Sequence, residues 1–136
     1  MYSSETFVRV RYGETDQMGF VYYGAYAMYY EVGRVESLRQ LGLTYKELEA
    51  TGVLMPVLEN YSKYIAPARY DENLRIITQV KERPTARIRF HYEIYNETDK
   101  LINIGETQLV FLNKKTGGPL KYPEMLSEVL DPFFSP

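Results

Sequence analysis

Apolar and polar residues alternate from Thr6 to Tyr12 (TFVRVRY), with Val8 and Val10 on one side and Arg9 and Arg11 on the other. That period of two predicts a strand with one buried face. A loop from Gly13 to about Tyr22 follows, and the period then changes. Ala25, Met28, Val32 and Val35 recur at spacings of three and four, and Tyr22, Tyr26, Tyr29, Tyr30 and Gly33 mark a neighbouring stripe. The spacing predicts a helix from Tyr23 to about Gly42, ended by that glycine. A helix apolar around so much of its circumference is expected to be wrapped by other structure. Thr44, with Glu47 three residues on, predicts the N-cap of a short second helix over 45–50, closed by Gly52.

The remainder reads mostly as strand. Leu54 to Ala66 is one, with Pro56 near its start, where a missing N–H is tolerated. Leu74 to Glu82 is the next. Ala86 to Asn96 sets Ile88, Phe90, Tyr92 and Ile94 against Arg87, Arg89, His91 and Glu93. Ile102 to Asn113 is the last, followed by the turn KKTGGP and a short helix near Glu124 to Leu130. Hairpin-length connections predict a mostly antiparallel sheet. The fold class is α+β: a curved five-stranded sheet wrapped around one long central helix. A length of 136 residues fits a single domain spanning 1–136, without repeat or linker.

Composition narrows the chemistry. A net charge of −2 gives no strongly basic surface, so no nucleic-acid partner is expected. Cysteine is absent, which removes disulfides, thiolate metal sites and a cysteine nucleophile. The N-terminus has no apolar core of a secretory signal, and no run approaches the roughly 20 apolar residues of a membrane helix, so a cytoplasmic location is expected. A single histidine, His91, excludes multi-histidine metal sites and lies mid-strand on a charged face, where a structural role suits it. There is no G-x-S-x-G, no G-x-G-x-x-G and no Walker loop. Any hydrolytic chemistry must rest on carboxylates, backbone amides and tyrosine.

The tripeptide ETD occurs twice, at 14–16 and at 97–99. The second copy links two alternating strands and reads as a hairpin turn. The first is followed by Gly19 and a helix start. Two readings fit it. Thr15 and Asp16 cap a turn while the neighbouring tyrosines form core or interface. Alternatively, the turn at Gly19 folds the Asp16 carboxylate back toward the helix N-terminus, whose free N–H groups and partial positive charge suit an oxyanion.

A longer pattern follows Asp16: Thr15-Asp16-x-x-Gly19-x-Val21-Tyr22-x-x-x-Tyr26-x-x-x-Tyr30-Glu31-x-x-Arg34. It resembles the hot-dog-fold acyl-CoA thioesterases, in the 4-hydroxybenzoyl-CoA thioesterase and YbgC-like branch. Tyr64-x-x-Pro67-Ala68-x-Tyr70-Asp71 and Thr116-Gly117 before Pro119 extend the likeness along the chain. The resemblance implies that Asp16 is the catalytic carboxylate, acting as nucleophile or general base, and that the backbone N–H of Tyr23 polarises the thioester carbonyl. Many YbgC-like members carry histidine at that position; a tyrosine keeps the backbone donor.

It further implies Gly19, Val21, Tyr22 and Tyr26 as substrate contacts, with Lys63 and Arg69, or Lys114 and Lys115, as basic residues for the phosphates of coenzyme A. Each of those cations also fits an ordinary solvated charge. Glu31 and Arg34, three apart, suggest an intrahelical ion pair. Glu31 stands about 12 Å along the axis from Tyr23, which assigns the pair a structural role. No metal or resident cofactor is implied, coenzyme A being part of the substrate. A homodimer joined edge to edge, paired into a homotetramer, is implied as well. The alternatives are a dehydratase of the same fold, which needs a histidine that His91 is badly placed to supply, and a non-catalytic acyl-CoA or acyl-carrier binding module.

Overall fold

The computed structural model describes residues 1–134. The chain runs β1 (Tyr2–Arg9), α1 (Ala25–Arg39), α2 (Tyr45–Ala50), β2 (Val53–Leu54), β3 (Val57–Tyr64), β4 (Asn73–Val80), β5 (Arg87–Tyr95), β6 (Leu101–Val110), β7 (Leu112–Asn113) and α3 (Glu124–Leu130). Five strands form one sheet in the order β1-β4-β5-β6-β3, antiparallel at every pairing. β2 and β7 make a separate two-stranded ribbon. The alternation in β5 is realised: Ile88, Phe90, Tyr92 and Ile94 are buried against α1's side of the sheet. No helix among the described residues is long and apolar enough to cross a membrane.

Several boundaries move, each for a local reason. The first strand starts at Tyr2 rather than Thr6, because Tyr2 pairs with Val80 and its hydroxyl donates to the carbonyl of Ser37 at 2.6 Å. It stops at Arg9 because the N–H of Val10 turns to the carbonyl of Glu72. The expected strand 54–66 is broken at Pro56, which has no N–H to give a ladder. Val53 and Leu54 pair with β7, and only the part from Val57 onward joins the main sheet. The last strand is likewise divided at Phe111, whose side chain is buried and whose carbonyl accepts from Leu120. The helix ends as expected near Gly42. Gly42 has φ +85, its N–H reaches the carbonyl of Arg39, and the N–H of Leu43 reaches Leu38. This is a Schellman closure, with Leu38 and Leu43 both buried beside it.

Which face of α1 turns inward differs from the apolar count. Tyr26, Tyr29, Tyr30 and Gly33 are buried, whereas Met28 is 48% exposed. Two glycines decide this. A Cβ on Gly33 would come within 2.5 Å of Thr78 Oγ1 and 3.1 Å of Ile76 Cγ2, so the helix backbone rests directly on β4. On β6, a Cβ on Gly105 would collide with the ring of Tyr30. That ring stacks on Tyr92 at 4.4 Å with planes 10° apart. Its hydroxyl meets Ser62 at 2.8 Å and also donates to Asn103. Tyr26, Tyr29 and Tyr30 therefore sink into the sheet, while in the other stripe Ala25 is buried, Val32 and Val35 are half-buried and Met28 faces out.

The expected Glu31–Arg34 pair does not form. Arg34 turns inward, 7% exposed, with Nη1 at 3.5 Å from the Tyr92 hydroxyl, while Glu31 stays on the exposed side. The aliphatic stem of Arg34 is buried in this position, and the surface contact it forgoes is worth only tenths of a kcal/mol.

The glycine contact yields a stability prediction. Gly105→Ala forces Tyr30 off its stack on Tyr92 and is expected to cost about 1–3 kcal/mol, the range of core overpacking, measured by urea unfolding. Gly13→Ala, at a position with open space around it, is the matched control and stays within about 0.5 kcal/mol.

Candidate active site

The segment between β1 and α1 is built from short closures. A 3-10 turn over Tyr12–Glu14 leads into a bridge between Thr15 and Val21. Inside that bridge the N–H of Asp16 donates to Phe20 at 2.8 Å, and the N–H of Gly19 donates back to Asp16 at 3.0 Å. Gly19 sits at φ +80, a conformation that a side chain disfavours. The carboxylate of Asp16 joins the same turn: Oδ1 accepts from the N–H of Met18 at 2.9 Å and of Phe20 at 3.2 Å. Oδ2 has no hydrogen-bond partner among the described residues. One oxygen of Asp16 therefore shapes the turn, as the first sequence reading expects, and the other is uncommitted.

Asp16 borders two cavities. One, of about 290 Å³, is mostly apolar and includes Val21, Tyr26, Tyr64, Ala66 and Pro67. The other, of about 710 Å³, includes Tyr12, Thr15, Gln17, Gly19 and Tyr70. The start of α1 lies close in sequence. The N–H of Val21 goes to Ala68 and that of Tyr22 to Glu14, both at 2.8 Å. Ala25 donates to the carbonyl of Tyr22 and Tyr26 to that of Tyr23. The N–H groups of Tyr23 and Gly24 have no acceptor among the described residues. They stand at the positive end of the helix dipole.

The remaining expected site residues distribute unevenly. Tyr26 is 3% exposed, set edge-on to Tyr29 and Tyr64, and burial pushes its hydroxyl up to about 12. Tyr22 is 48% exposed and leans on Tyr23, with ring centroids 4.6 Å apart. Its ring packs so near Gly24 that a Cβ there would lie 2.6 Å from it. Arg69 flanks the Asp16 loop, pairing with Phe20 and holding its guanidinium 4.9 Å over that ring. Lys63 is not brought to this place. Ser62 and Tyr64 face α1, through Tyr30 and Tyr26, so the alternation of β3 puts Lys63 on the other face. Lys114 and Lys115 sit on the turn after β7 and border neither cavity.

The second ETD is a hairpin turn, as expected. Asn96 Oδ1 accepts from Thr98 and Lys100, Asp99 has φ 65, and its carboxylate pairs with Arg75 at 2.6 Å. His91 lies 3.3 Å from Glu106 on the outer face of the sheet, with burial pulling its pKa down.

One member of the site went unnoticed in the sequence. Glu14 is 7% exposed, and its carboxylate accepts from the Tyr29 hydroxyl and from Arg11. Burial alone would raise its pKa; the backbone N–H of Arg11, the Tyr29 hydroxyl and the Arg11 guanidinium outweigh that and hold it below the usual carboxylate range. The only signal was the three-residue spacing of Arg11 and Glu14.

Comparison with known proteins adds to this geometry. The profile of the Thioesterase-like superfamily matches residues 10–130. YneP of Bacillus subtilis is 32% identical over 122 residues, 90% of this chain and 88% of that protein. The acyl-CoA thioester hydrolase YbgC of Escherichia coli O157:H7 is 32% identical over 119 residues, 88% of this chain and 89% of that one. The crystal structure of the DHNA-CoA thioesterase from Staphylococcus aureus superimposes with a TM-score of 0.87 at 31% identity, covering 98% of this chain and 87% of that one. The chain belongs to the thioesterase-like superfamily, and its sheet wrapped on α1 is the hot-dog fold of that family's acyl-CoA thioesterases.

Proposed function

We propose that this protein hydrolyses an acyl-CoA thioester to a free acid and coenzyme A, with Asp16 as the acting carboxylate and the N–H of Tyr23 polarising the carbonyl. The observation that carries the reading is the pairing on one loop of an uncommitted carboxylate oxygen with unclaimed N–H groups at a helix start. The relatives supply the reaction class: YbgC is an acyl-CoA thioester hydrolase and the Staphylococcus aureus protein a DHNA-CoA thioesterase.

The chemistry takes one of two balanced routes. As general base, Asp16 removes a proton from water while the oxygen adds to the thioester carbon. As nucleophile, its oxygen attacks that carbon and gives a mixed anhydride, which water then opens. In both, negative charge gathers on the carbonyl oxygen, the C–S bond breaks and the thiolate is protonated. Donors preset for that oxygen cost nothing to reorganise, which is the main electrostatic contribution. In this reading position 23 serves through its backbone N–H, which every side chain but proline keeps.

In this reading Arg69, which lies over Phe20 beside the Asp16 loop, meets the phosphates of coenzyme A. Gly19 supplies the turn, and Val21, Tyr22 and Tyr26 the walls. No resident cofactor or metal enters this scheme. The reading includes a cytoplasmic homodimer, paired into a tetramer. The supporting feature is β3, an edge strand with Val57, Leu58 and Tyr61 about half exposed.

Two outcomes are expected. Asp16→Asn lowers kcat by at least about 10²-fold across a panel of acyl-CoA thioesters, with binding retained; unchanged turnover would overturn the assignment. Tyr23→Phe keeps kcat within about threefold, while Tyr23→Pro, which removes the N–H where a helix start tolerates proline, lowers it about 10²–10³-fold. Rapid quench of a single turnover with a radiolabelled acyl group separates the two routes, since only the anhydride route places that group transiently on Asp16.

A further inference from the structure

We propose that Glu14 is the positioning residue of the Asp16 site: its buried carboxylate and its main-chain carbonyl together clamp the Asp16 loop to the start of α1. The inference rests on the reading of Asp16 and the Tyr23 N–H given above, and gives Glu14 a role that the motif around Asp16 does not contain.

The contacts run in two directions from one residue. Glu14 Oε1 accepts from the Tyr29 hydroxyl at 2.8 Å, which ties it to the interior of α1. The carbonyl of Glu14 accepts from the N–H of Tyr22 at 2.8 Å, which ties it to the residue just before Tyr23. Asp16 lies two residues along, inside the loop whose ends those bonds hold. Arg11 completes the clamp, with its backbone N–H at 2.9 Å from Oε1 and its Nε and Nη2 at 3.0 and 2.8 Å from Oε2.

A plain packing role does not account for this residue. Burying a carboxylate costs several kcal/mol unless hydrogen bonds replace its water, and an apolar residue of similar volume would fill the space without that cost. Here four donors converge on the two oxygens, one of them from α1 and three from Arg11, just past the end of β1. A charged, fully bonded carboxylate fixes direction as well as volume. Direction is what the chemistry needs, because a displacement of about 1 Å between Asp16 and the carbonyl donors is enough to cost about 10²-fold in rate. The positive charge of Arg11 also neutralises Glu14, so Asp16 does not stand beside an uncompensated buried anion.

The test uses the full chain, with Glu14→Gln, Tyr29→Phe and their double variant. Steady-state hydrolysis is measured on the thioester panel, and amide hydrogen exchange is followed by NMR. In Glu14→Gln the expected result is a kcat lowered about tenfold or more with KM within about threefold. Exchange at the amides of Met18, Phe20 and Tyr22 rises about tenfold while those of β5 and β6 are unchanged. Tyr29→Phe moves the same amides in the same direction by less, and the double variant loses no more than Glu14→Gln alone, as members of one unit do. Should Glu14→Gln not fold, Tyr29→Phe, which removes a single hydroxyl, carries the test by the same readouts. Unchanged exchange at the three amides overturns the proposal. So does a loss of protection spread equally over β5 and β6, which marks a merely structural role. A wild-type protein that hydrolyses no thioester sinks the functional reading, and the exchange pattern still decides this one.

Discussion

The closeness of α1 to the sheet governs the rest of the molecule. With Gly33 against Thr78 and Ile76, and Gly105 beneath the ring of Tyr30, the helix has one rotation available to it. The face-on stack of Tyr30 and Tyr92 locks that rotation, at about 0.5–1.5 kcal/mol beyond the area it buries. Everything around the site inherits this. Tyr26 and Tyr29, one turn earlier, are carried inside, where Tyr26 walls the cavity beside Asp16 and Tyr29 reaches Glu14. The unclaimed N–H groups ahead of Ala25 are brought to the end of the helix that the Asp16 loop wraps. A rotation by one residue would bury Met28 and expose Tyr29, leaving the Glu14 carboxylate buried without its partner on α1.

The sequence showed the periods and hid the contacts. Alternation in β5 and spacing in α1 depend on solvent averaged over many residues, so they survive in a one-dimensional reading. The direction of α1 does not, because Met28, Val32 and Val35 look as apolar as the tyrosines. Only the two glycines, one of them on a strand more than 70 residues away, say which stripe goes in. Pro56 was legible as a residue without a donor, yet whether it ends a strand or begins one depends on which neighbour needs the hydrogen bond. For Glu31 and Arg34 the helical spacing was correct and the pairing was not, since Tyr92, distant in sequence, offers Arg34 a buried surface.

The site was legible in part for the same reason. Asp16, Gly19 and the helix start are local, and a motif records local order well. Only its charge recommends Lys63 in the sequence, and strand alternation turns it to the other face. Glu14 is hidden in the sequence because its partners lie three residues before it and fifteen after it, and no short pattern spans both. The two ETD copies make the point sharply. Their acids are the same, but in the second Asp99 is taken by Arg75 and Glu97 accepts from the N–H of Asn73. In the first, Glu14 is consumed by Arg11 and Tyr29, and Asp16 keeps an oxygen in reserve.

On the reading proposed for Asp16, the neighbouring tyrosines and Glu14 offer no competing base. Burial lifts the hydroxyls of Tyr26 and Tyr29 away from neutrality, and Glu14 lifts Tyr29 further, so neither gives up its proton to serve as a base near pH 7. Glu14 stays ionised, but both its oxygens are spent on four donors, and it can take a proton only by breaking the clamp. Asp16 is the one carboxylate bordering either cavity beside the helix start. It spends a single oxygen on its own turn. A carboxylate with one oxygen bonded to backbone N–H groups is held in orientation. On the reading proposed for Asp16, the Asx-like turn that first suggests a structural residue also orients the other oxygen.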